Sequence, residues 1–593
     1  MGCVALATSC DLTENVQVKA DKSMIFGSKS GLELYSNSFY KALPTLKNGF
    51  MQDKMCDVGA VSNTDTFIKQ GAYNTETATS WSWGALKNIN YFIDGCNDPK
   101  YCTVDDNTRD NYLGIARWFR AWFYYDKLTT YGEVPWFPHD IQSYQNDVMY
   151  KDRDSRDVII RNLIADLDFA YEHIQATSST GSSTLTRWAA AALKSRVCLF
   201  EAAYRRYHNL TELEITPEEL YREAAKAAKL VIDNSGCSLN TATGKKGAYR
   251  DLFYNETPLT QEVILAVCAN EKSGIFGEQN WWFNARSYGL CWSLVRSFVH
   301  TYLKLDGTPF TDAADYAVKS FTEEMEGRDL RLEQTVRGRN FLWDGKTAVA
   351  DIKNLSLTGY QVIKYTLDES KYDGGAKNIN SIPLIRYAEV LLNYAEAQAE
   401  LGIIIDSEWA LTVGALRKRA GITGGTETLP TTVDGYLQRT FYPDVTSPVL
   451  LEIRRERAIE LVAEGMRFDD LRRWKCGSLM ETLPWSGIHI PGLEQPVDVN
   501  GDGVDDYYFT EGEVTAAPAA YRNIAIRVNQ DGVGLYAEAN AVAGYDLVYK
   551  TGAGDRYWYP DGRQYLYPIP AKVIRDYKNA GYTISQNPYW DNE

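Results

Sequence analysis

The sequence predicts a mainly α-helical protein built from tetratricopeptide-like helical hairpins. Long irregular loops and a few short strands are expected to form its ligand-binding half. Two observations support this prediction. Amphipathic segments recur in two blocks, with Ala and Tyr at the positions where paired helices meet. Residues 236–381 and 483–567, in contrast, are rich in Gly, Trp, Tyr and Asn and carry short strand-like runs such as VILAVC and GYQVIKY. Long loops on a rigid scaffold are where binding residues concentrate.

The first helical block is clearest in residues 112–131, where Trp, Phe and Tyr side chains follow a helical pattern. We expect this helix to stop at Gly132, because a Gly just past a helix, followed by a Pro such as Pro135, is a helix-stop signal. The other predicted helices of this block are 86–93, 157–171, 187–207 and 217–234.

The second block comprises predicted helices at 383–401, 409–420 and 450–474. In the last of these, LLEIRRERAIELVAEGMRFDDLRRW, Glu456, Glu460 and Glu464 recur every four residues, which places them on one stripe of a helix. The stripe is either a catalytic carboxylate pair or a structural charge network. A general acid needs a raised pKa, whereas nearby arginines keep carboxylates ionised, so we favour the network. The arginines within helical reach are Arg454, Arg455, Arg457 and Arg467.

Length, charge and missing motifs restrict the function. The 593 residues predict two to four structural units or one elaborated globule, and the net charge of −16 argues against nucleic acid or an anionic membrane surface as the main ligand. The sequence contains no HExxH, GxSxG or P-loop motif, and its 5 His are not clustered. These absences argue against metal-hydrolase chemistry and against Ser/His catalytic triads.

The loop DVNGDGVDD has the oxygen-rich spacing of a calcium site. Gly503 allows a sharp turn, while Phe509 stands at the twelfth place, where an EF-hand has Glu. The alternative is an Asp/Gly surface turn. We predict a structural calcium ion, and the predicted ligands are Asp498, Asn500, Asp502, the backbone carbonyl of Val504, and Asp506.

Two loops, NTETATSWSW and GEQNWWFNARSYGLCW, combine Trp and Tyr with Asn and Arg. Aromatic planes can meet the apolar faces of a sugar, and amide or guanidinium groups can meet its hydroxyl rim. Most Trp residues in any protein belong to the core, so each candidate has a structural alternative. The predicted glycan-binding residues are Asn74, Trp81, Trp281, Trp282, Asn284, Arg286, Tyr288 and Trp343.

The N-terminus, MGCVALATSC, ends in a motif similar to a bacterial lipobox, without the usual basic region before it. We interpret residues 1–10 as a partial lipoprotein signal with Cys10 as the lipidated residue, and residues 11–30 as a flexible tether. The chain contains no CxxC pair. Cys96 and Cys102 bracket a short loop and could form a disulfide in an oxidising compartment.

Six segments of the chain form a recognisable series. In order, they are KNINYFID, the aromatic helix ending YGEVPWF, TRWAAAALKSRVCLFEA, IPLIRYAEVLLNYAEAQAELG, the segment 450–474 and the C-terminal PIP…QNPYW. This series resembles the SusD/RagB family of Bacteroidetes surface glycan-binding lipoproteins, and the segment 450–474 is similar to that family's ER..EL..EG.R..DL.RW motif. Tyr589 stands where the family often has Gly.

The resemblance implies an N-terminal helical region at 31–235 and a C-terminal region with loop insertions at 236–593. It implies a protein exposed on the cell surface, held to the outer membrane by its lipid anchor only. The expected function is to capture an oligosaccharide, without catalysis, and deliver it to a SusC-like TonB-dependent transporter. One alternative is the capture of peptides. A glycosidase using Glu456 and Glu460, or a scaffold without a ligand, are further alternatives.

Overall fold

The structure is a computed structural model that describes residues 22–47, 51–285, 291–552 and 554–591. Within the described residues the first helix is Lys22–Phe26 and the second begins at Lys29, so the predicted flexible tether is wrong for residues 22–30. The predicted first helical block is confirmed. The N-terminal helices are α1 (Lys22–Phe26), α2 (Lys29–Ser36), α3 (Gly84–Cys96), α4 (Asp106–Tyr131), α5 (Asn146–Met149), α6 (Arg156–His173), α7 (Arg187–Tyr207) and α8 (Pro217–Asn234).

Local sequence signals explain where these helices begin and end. The side chain of Asp105 caps α4 by accepting a hydrogen bond from the amide of Thr108. At the other end, Gly132 has a φ of 75°, in the left-handed region that favours Gly, and it stops the helix where the sequence predicted. In α8, Thr216 and Glu219 form a capping box around Pro217 in the first turn.

Helix α7 is the centre of the scaffold. It packs against α6 on one side and α8 on the other, and its run of alanines from 189 to 192 is fully buried, which lets the helices approach closely. Arg196 of α7 donates hydrogen bonds of 2.7 Å to both carboxylate oxygens of Glu389, in the second helical block. This bidentate pair links the two blocks through the core.

The middle of the chain is irregular, as predicted, with short elements between loops. The strand predicted at VILAVC is confirmed and pairs with a strand at 382–386. The run GYQVIKY is not a strand, since Gln361 and Val362 make only isolated bridges to Ser293 and Val336. The elements here are β1 (Gly59–Ala60), α9 (Asp251–Tyr254), β2 (Val263–Val267), α10 (Gln279–Asn284), β3 (Ser293–Leu294), α11 (Arg296–Val299), α12 (Phe321–Met325), α13 (Arg331–Thr335), β4 (Leu342–Trp343), β5 (Lys346–Thr347) and β6 (Ile382–Arg386).

The second helical block differs from its prediction in three places. Residues 383–386 belong to strand β6. The predicted helix at 409–420 is two helices that meet at Thr412, whose φ and ψ of −108° and −93° are not helical. The predicted helix at 450–474 is also two helices, broken where Ala463 and Gly465 adopt positive φ angles of 64° and 81°. Glu464 therefore lies outside the helix that carries Glu456 and Glu460. The helices are α14 (Tyr387–Glu400), α15 (Asp406–Leu411), α16 (Val413–Arg419), α17 (Gly435–Phe441), α18 (Pro448–Glu460), α19 (Arg467–Arg473) and α20 (Leu479–Thr482).

The C-terminal part contains two three-stranded sheets and one helix. The elements are β7 (Ser486–Ile490), β8 (Pro496–Val497), β9 (Tyr507–Thr510), β10 (Ala525–Arg527), β11 (Gly534–Ala539), β12 (Tyr545–Lys550) and α21 (Ala571–Asn579). The strands β7, β12 and β11 form an antiparallel sheet, while β9 pairs antiparallel with β8 and parallel with β10.

The C-terminal segment returns to the N-terminal part of the chain. Phe67 and Tyr567 stack with ring centroids 3.9 Å apart and an interplanar angle of 11°. The side chain of Asn587 donates a hydrogen bond of 2.9 Å to the carbonyl of Tyr131, at the end of α4. A continuous hydrophobic core includes Leu193 and Leu471, so the regions predicted at 31–235 and 236–593 share one core.

Candidate functional site

The carboxylates of the 450–474 segment form a buried structural network. Glu460 accepts a 2.8 Å hydrogen bond from Arg331 and a 2.6 Å bond from Arg386, and it also pairs with Arg419. Burial alone would raise the pKa of Glu460, but the three guanidinium groups hold it well below the usual value. A carboxylate in this state cannot serve as a general acid.

The partners in this network differ from those that the sequence predicted. The arginines that contact Glu456 and Glu460 come from other elements, namely Arg331, Arg386, Arg417 and Arg419. The four arginines expected to lie beside the stripe pair elsewhere; Arg457, for example, binds Asp470 at 2.8 Å. The other three predicted arginines form the pairs Arg454–Glu400, Arg455–Asp434 and Arg467–Asp57. The sequence thus predicted a charge network but not its pairs, because partners that lie far apart in the chain leave no pattern in the local sequence.

A large cleft of about 1370 Å³ lies between the N-terminal and C-terminal segments; we call it the main cleft. Its lining comes from residues 76–90, 137–150 and 570–580. Trp81 and Trp83, both half-buried, stand in its wall with ring centroids 5.3 Å apart and an interplanar angle of 74°. Trp81 was predicted as a binding residue, and the structure places it in this concave surface.

Packing behind the two tryptophans fixes their orientation. The Trp81 ring contacts Tyr131 edge to face at 4.9 Å, and the Trp83 ring contacts Phe137 in the same manner at 5.2 Å. Tyr150 and Tyr577 of α21 also line the main cleft, and their rings pack edge to face at 5.1 Å. The main cleft therefore presents two aromatic clusters, held by side chains that are themselves packed.

The rim of the main cleft carries both charged pairs and free polar groups. Lys87 bonds to Asp140 at 2.6 Å, and Arg575 bonds to Glu76 at 2.6 Å across the two ends of the chain. The side chains of Lys87, Arg575 and Glu76 are more than half exposed, so water and ligand hydroxyls can compete for them. Thr79, Ser143 and Asn579 also line the main cleft, and their side chains make no hydrogen bond within the part of the chain that the structure describes.

Asn74 lies just outside the main cleft and has a local role. Its side-chain oxygen accepts hydrogen bonds from the amides of Glu76, at 3.0 Å, and Thr77, at 3.1 Å. This arrangement is an Asx turn, which fixes the loop leading to Trp81. Asn74 thus positions the loop, and its oxygen is already engaged by the backbone.

The other predicted residues stand in a different part of the molecule. The rings of Trp281 and Trp282 are 5.5 Å apart, and Gly375 packs against the Trp281 ring. The amide of Asn284 donates to Asp373 at 3.2 Å and accepts from Gln361 at 3.1 Å, so its hydrogen-bonding groups are largely occupied. The structure does not bring these residues into the main cleft with Trp81.

Trp343 lies on the β4–β5 hairpin, outside the main cleft. Its ring and that of Phe341 each lie 5.1 Å from the guanidinium carbon of Arg337, which is buried. The predicted residues Arg286 and Tyr288, together with Cys10, fall outside the described residues.

The predicted calcium loop is folded around its acidic side chains. Asp498 accepts hydrogen bonds from the amides of Gly501, at 2.7 Å, and Gly503, at 2.8 Å. Burial and the negative charges of Asp498 and Asp502 raise the pKa of Asp506, which shows that acidic groups converge here. Within the described ranges, however, no group of three or more Asp, Glu, His or Cys side chains is arranged to hold a metal ion. Calcium binding stays a prediction.

The sequence did not point to several residues of the main cleft. Lys87, Tyr150 and Tyr577 line it with Trp81, yet they belong to three segments that are far apart in the chain. Trp83 could have been included from the motif SWSW alone. The other residues become neighbours only because the C-terminal segment folds back on the N-terminal part.

Comparison with known proteins identifies the family. Residues 261–590 match the model of the SusD family. The chain belongs to the SusD family. It is also 25% identical over 378 residues to a SusD-like protein, P38, from Formosa agariphila; the match spans 61% of this chain and 66% of that relative, just under two thirds of its length. The SusD family is a cell-surface nutrient-binding family.

Solved structures agree with the fold. A SusD-like carbohydrate binding protein from Bacteroides fragilis superposes with a TM-score of 0.66 at 19% identity, covering 94% of this chain and 99% of that one. Another SusD-like protein from Bacteroides fragilis gives 0.64 at 20% identity, covering 96% and 98%. At these identities the likeness establishes the fold alone. Among the described helices, none combines the length and apolar character needed to cross a membrane.

Proposed function

We propose that this protein binds oligosaccharides in the main cleft, without catalysis. The observation that carries the proposal is the pairing of packed aromatic walls with uncommitted hydroxyl and amide groups in one concave surface. Sugars offer apolar C–H faces to such rings and hydroxyls to such groups. Family membership supports the same function, because a SusD-like relative of known structure is described as carbohydrate binding.

The volume of the main cleft favours a chain of several sugars over a single one. At about 1370 Å³ it exceeds the roughly 300–1000 Å³ usual for small-molecule sites. The open rim and the exposed ion pairs predict modest affinity, because each hydrogen bond to the ligand replaces a hydrogen bond to water. A protein that captures and then releases its ligand benefits from such a balance.

Calorimetric titration tests this proposal. The full chain would be titrated with a panel of plant, algal and host oligosaccharides, and Trp81→Ala or Trp83→Ala should weaken binding about tenfold or more through lost stacking. Tyr144→Ala is a matched control, because Tyr144 is 80% exposed on the loop beside the main cleft but does not line it. If no member of the panel binds, or if both tryptophan variants bind like the unaltered chain, the proposal is wrong.

Capture of peptides is the alternative function. Peptides often bind by adding a strand to an exposed sheet edge. The ranges that line the main cleft contain helices and loops but no described strand, which favours sugars over an extended peptide. Binding of oligopeptides but not oligosaccharides in the same titration would select the alternative.

We further propose that the bound oligosaccharide passes to a SusC-like TonB-dependent transporter, with the protein held at the outer membrane by a lipid on Cys10. The family's cell-surface role supports this proposal. Co-purification of the transporter with the full-length protein, and loss of membrane association in Cys10→Ala, would test the two parts separately.

A further inference from the structure

A second cavity, of about 520 Å³, lies beside the β4–β5 hairpin and shares no lining residue with the main cleft. Three segments form it: residues 246–254, residues 333–342, and the turn that carries Asp368. These segments are separate from the three ranges that line the main cleft. The second cavity is therefore a candidate for a separate role.

The floor of the second cavity is a fixed ion pair. Arg250 donates two hydrogen bonds to the carboxylate of Asp368, at 2.9 and 2.5 Å. It also donates to the carbonyls of Ile363, at 3.1 Å, and Thr366, at 2.8 Å, so each of its nitrogens is occupied. The pair is electrically neutral and held rigidly, which makes it a polar surface rather than a free charge.

Aromatic rings flank this ion pair. The guanidinium carbon of Arg250 lies 5.2 Å from the centre of the Tyr254 ring and 5.7 Å from that of the Phe341 ring. Beside them Leu342 is 51% exposed, on a hairpin of only two residues per strand. The second cavity thus combines flat apolar surface with a polar floor, as the main cleft does.

The rim carries polar groups that nothing else in the described chain engages. The side chains of Lys246, Glu333 and Asn340 line the second cavity and make no hydrogen bond or ion pair there. Together they offer an ammonium donor, a carboxylate acceptor and an amide that is both. Such a mixture suits a ligand with many hydroxyl groups, each able to donate and accept.

The charges exclude the other simple ligand classes. An anion would lie against the carboxylates of Glu333 and Asp251, and a cation would lie against the ammonium group of Lys246, while the neutral Arg250–Asp368 pair favours neither. A fully apolar ligand would leave the rim groups desolvated without partners, which is unfavourable. A neutral polyhydroxylated molecule avoids all three costs.

We propose that the second cavity is a separate binding site for a neutral saccharide. Its volume suits roughly one or two sugar units, at the small end of the usual range for such sites. This inference rests on the proposed function, because it takes sugars as the ligand of the protein. The two sites would let one molecule hold a glycan at two points, or hold two short glycans at once.

The test is a titration of the full chain with neutral di- to hexasaccharides of glucose, mannose, galactose, xylose and arabinose. Two variants separate the sites: Trp81→Ala alters the main cleft, and Lys246→Ala combined with Asn340→Ala alters the second cavity. Lys245→Ala is the matched control, because Lys245 is an exposed neighbour that does not line the second cavity. Lys246 and Asn340 are exposed, so folding is expected to be preserved in the double variant. Trp81 is half-buried against Tyr131, so the fold of Trp81→Ala is checked by thermal denaturation before the titration.

The expected result is two sites per chain for a short oligosaccharide, with about tenfold weaker binding at one of them in the Lys246/Asn340 variant. That site should survive in Trp81→Ala, and crystals soaked with the same sugar should show it beside Tyr254. If one site is found and only Trp81→Ala weakens it, the second site is refuted while the proposed function stands. If no sugar of the panel binds, both are refuted.

Discussion

Glu460→Gln is the sharpest test of the buried network. Glu460 is fully buried and accepts hydrogen bonds from Arg331, Arg386 and Arg419. Glutamine has nearly the same shape but no charge, and its amide nitrogen would face a guanidinium donor. Breaking a buried charge pair lowers the free energy of unfolding by about 3–5 kcal/mol. In this variant three buried arginines would lose one of the negative charges that balance them. The unfolding constant should rise roughly a hundredfold to a few thousandfold.

The assay is chemical denaturation followed by tryptophan fluorescence at pH 7. Glu214→Gln is the control, because Glu214 pairs with Arg161 at 3.0 Å while remaining 80% exposed, so its loss should cost less than about 1 kcal/mol. The low pKa of Glu460 means that its contribution is complete above about pH 4.5 and is lost as the pH falls toward the folded-state value. A Glu460→Gln protein as stable as the unaltered chain would refute the structural role. Oligosaccharide turnover that disappears in this variant would favour the glycosidase instead.

Three further predictions follow from other features. Burial raises the pKa of Asp53 from 3.8 to about 6, so ionisation of this carboxyl destabilises the fold as the pH rises from about 4 to 6. In thermal denaturation, Asp53→Asn should remove this loss of stability between about pH 4 and 6. Calcium should raise the melting temperature, and Asp498→Asn with Asp502→Asn should abolish the rise; an equal response in both proteins would contradict the predicted site. Gly132→Ala should destabilise by about 1 kcal/mol or more, because the positive φ of 75° is unfavourable for Ala and its Cβ would approach Arg156 to 2.8 Å; unchanged stability would contradict this reasoning.

Local signals carried much of the fold. The capping residue Asp105, the stop at Gly132 and the capping box at Thr216 act within a few residues, so the helices that they bound could be predicted from the sequence. The predicted helix at 450–474 failed at 461–466, where Ala463 and Gly465 adopt positive φ angles. Gly465 is a local stop signal like Gly132, and the charged and apolar pattern that continues beyond it concealed the break.

The candidate site was predicted less completely, for a related reason. Trp81 could be selected because it stands in a polar, aromatic loop. Trp281 looked equivalent in sequence, but its loop packs against the segment near Gly375 instead. Composition identifies loops that are suited to sugars. Which of these loops share a concave surface depends on long-range packing that no local pattern records.

The meeting of the chain's two ends has a consequence for biosynthesis. Glu76 and Arg575, which join across the main cleft, are 499 residues apart in the sequence. At a synthesis rate of 5–20 residues per second, roughly 25–100 s pass between the synthesis of the N-terminal wall of the main cleft and that of its C-terminal wall. During this interval Trp81 and Trp83 stand on the surface of the nascent chain without the facing wall that α21 supplies to the main cleft. A chain that ends before residue 570, through incomplete synthesis or proteolysis, keeps the N-terminal lining of the main cleft but lacks the wall formed by residues 570–580.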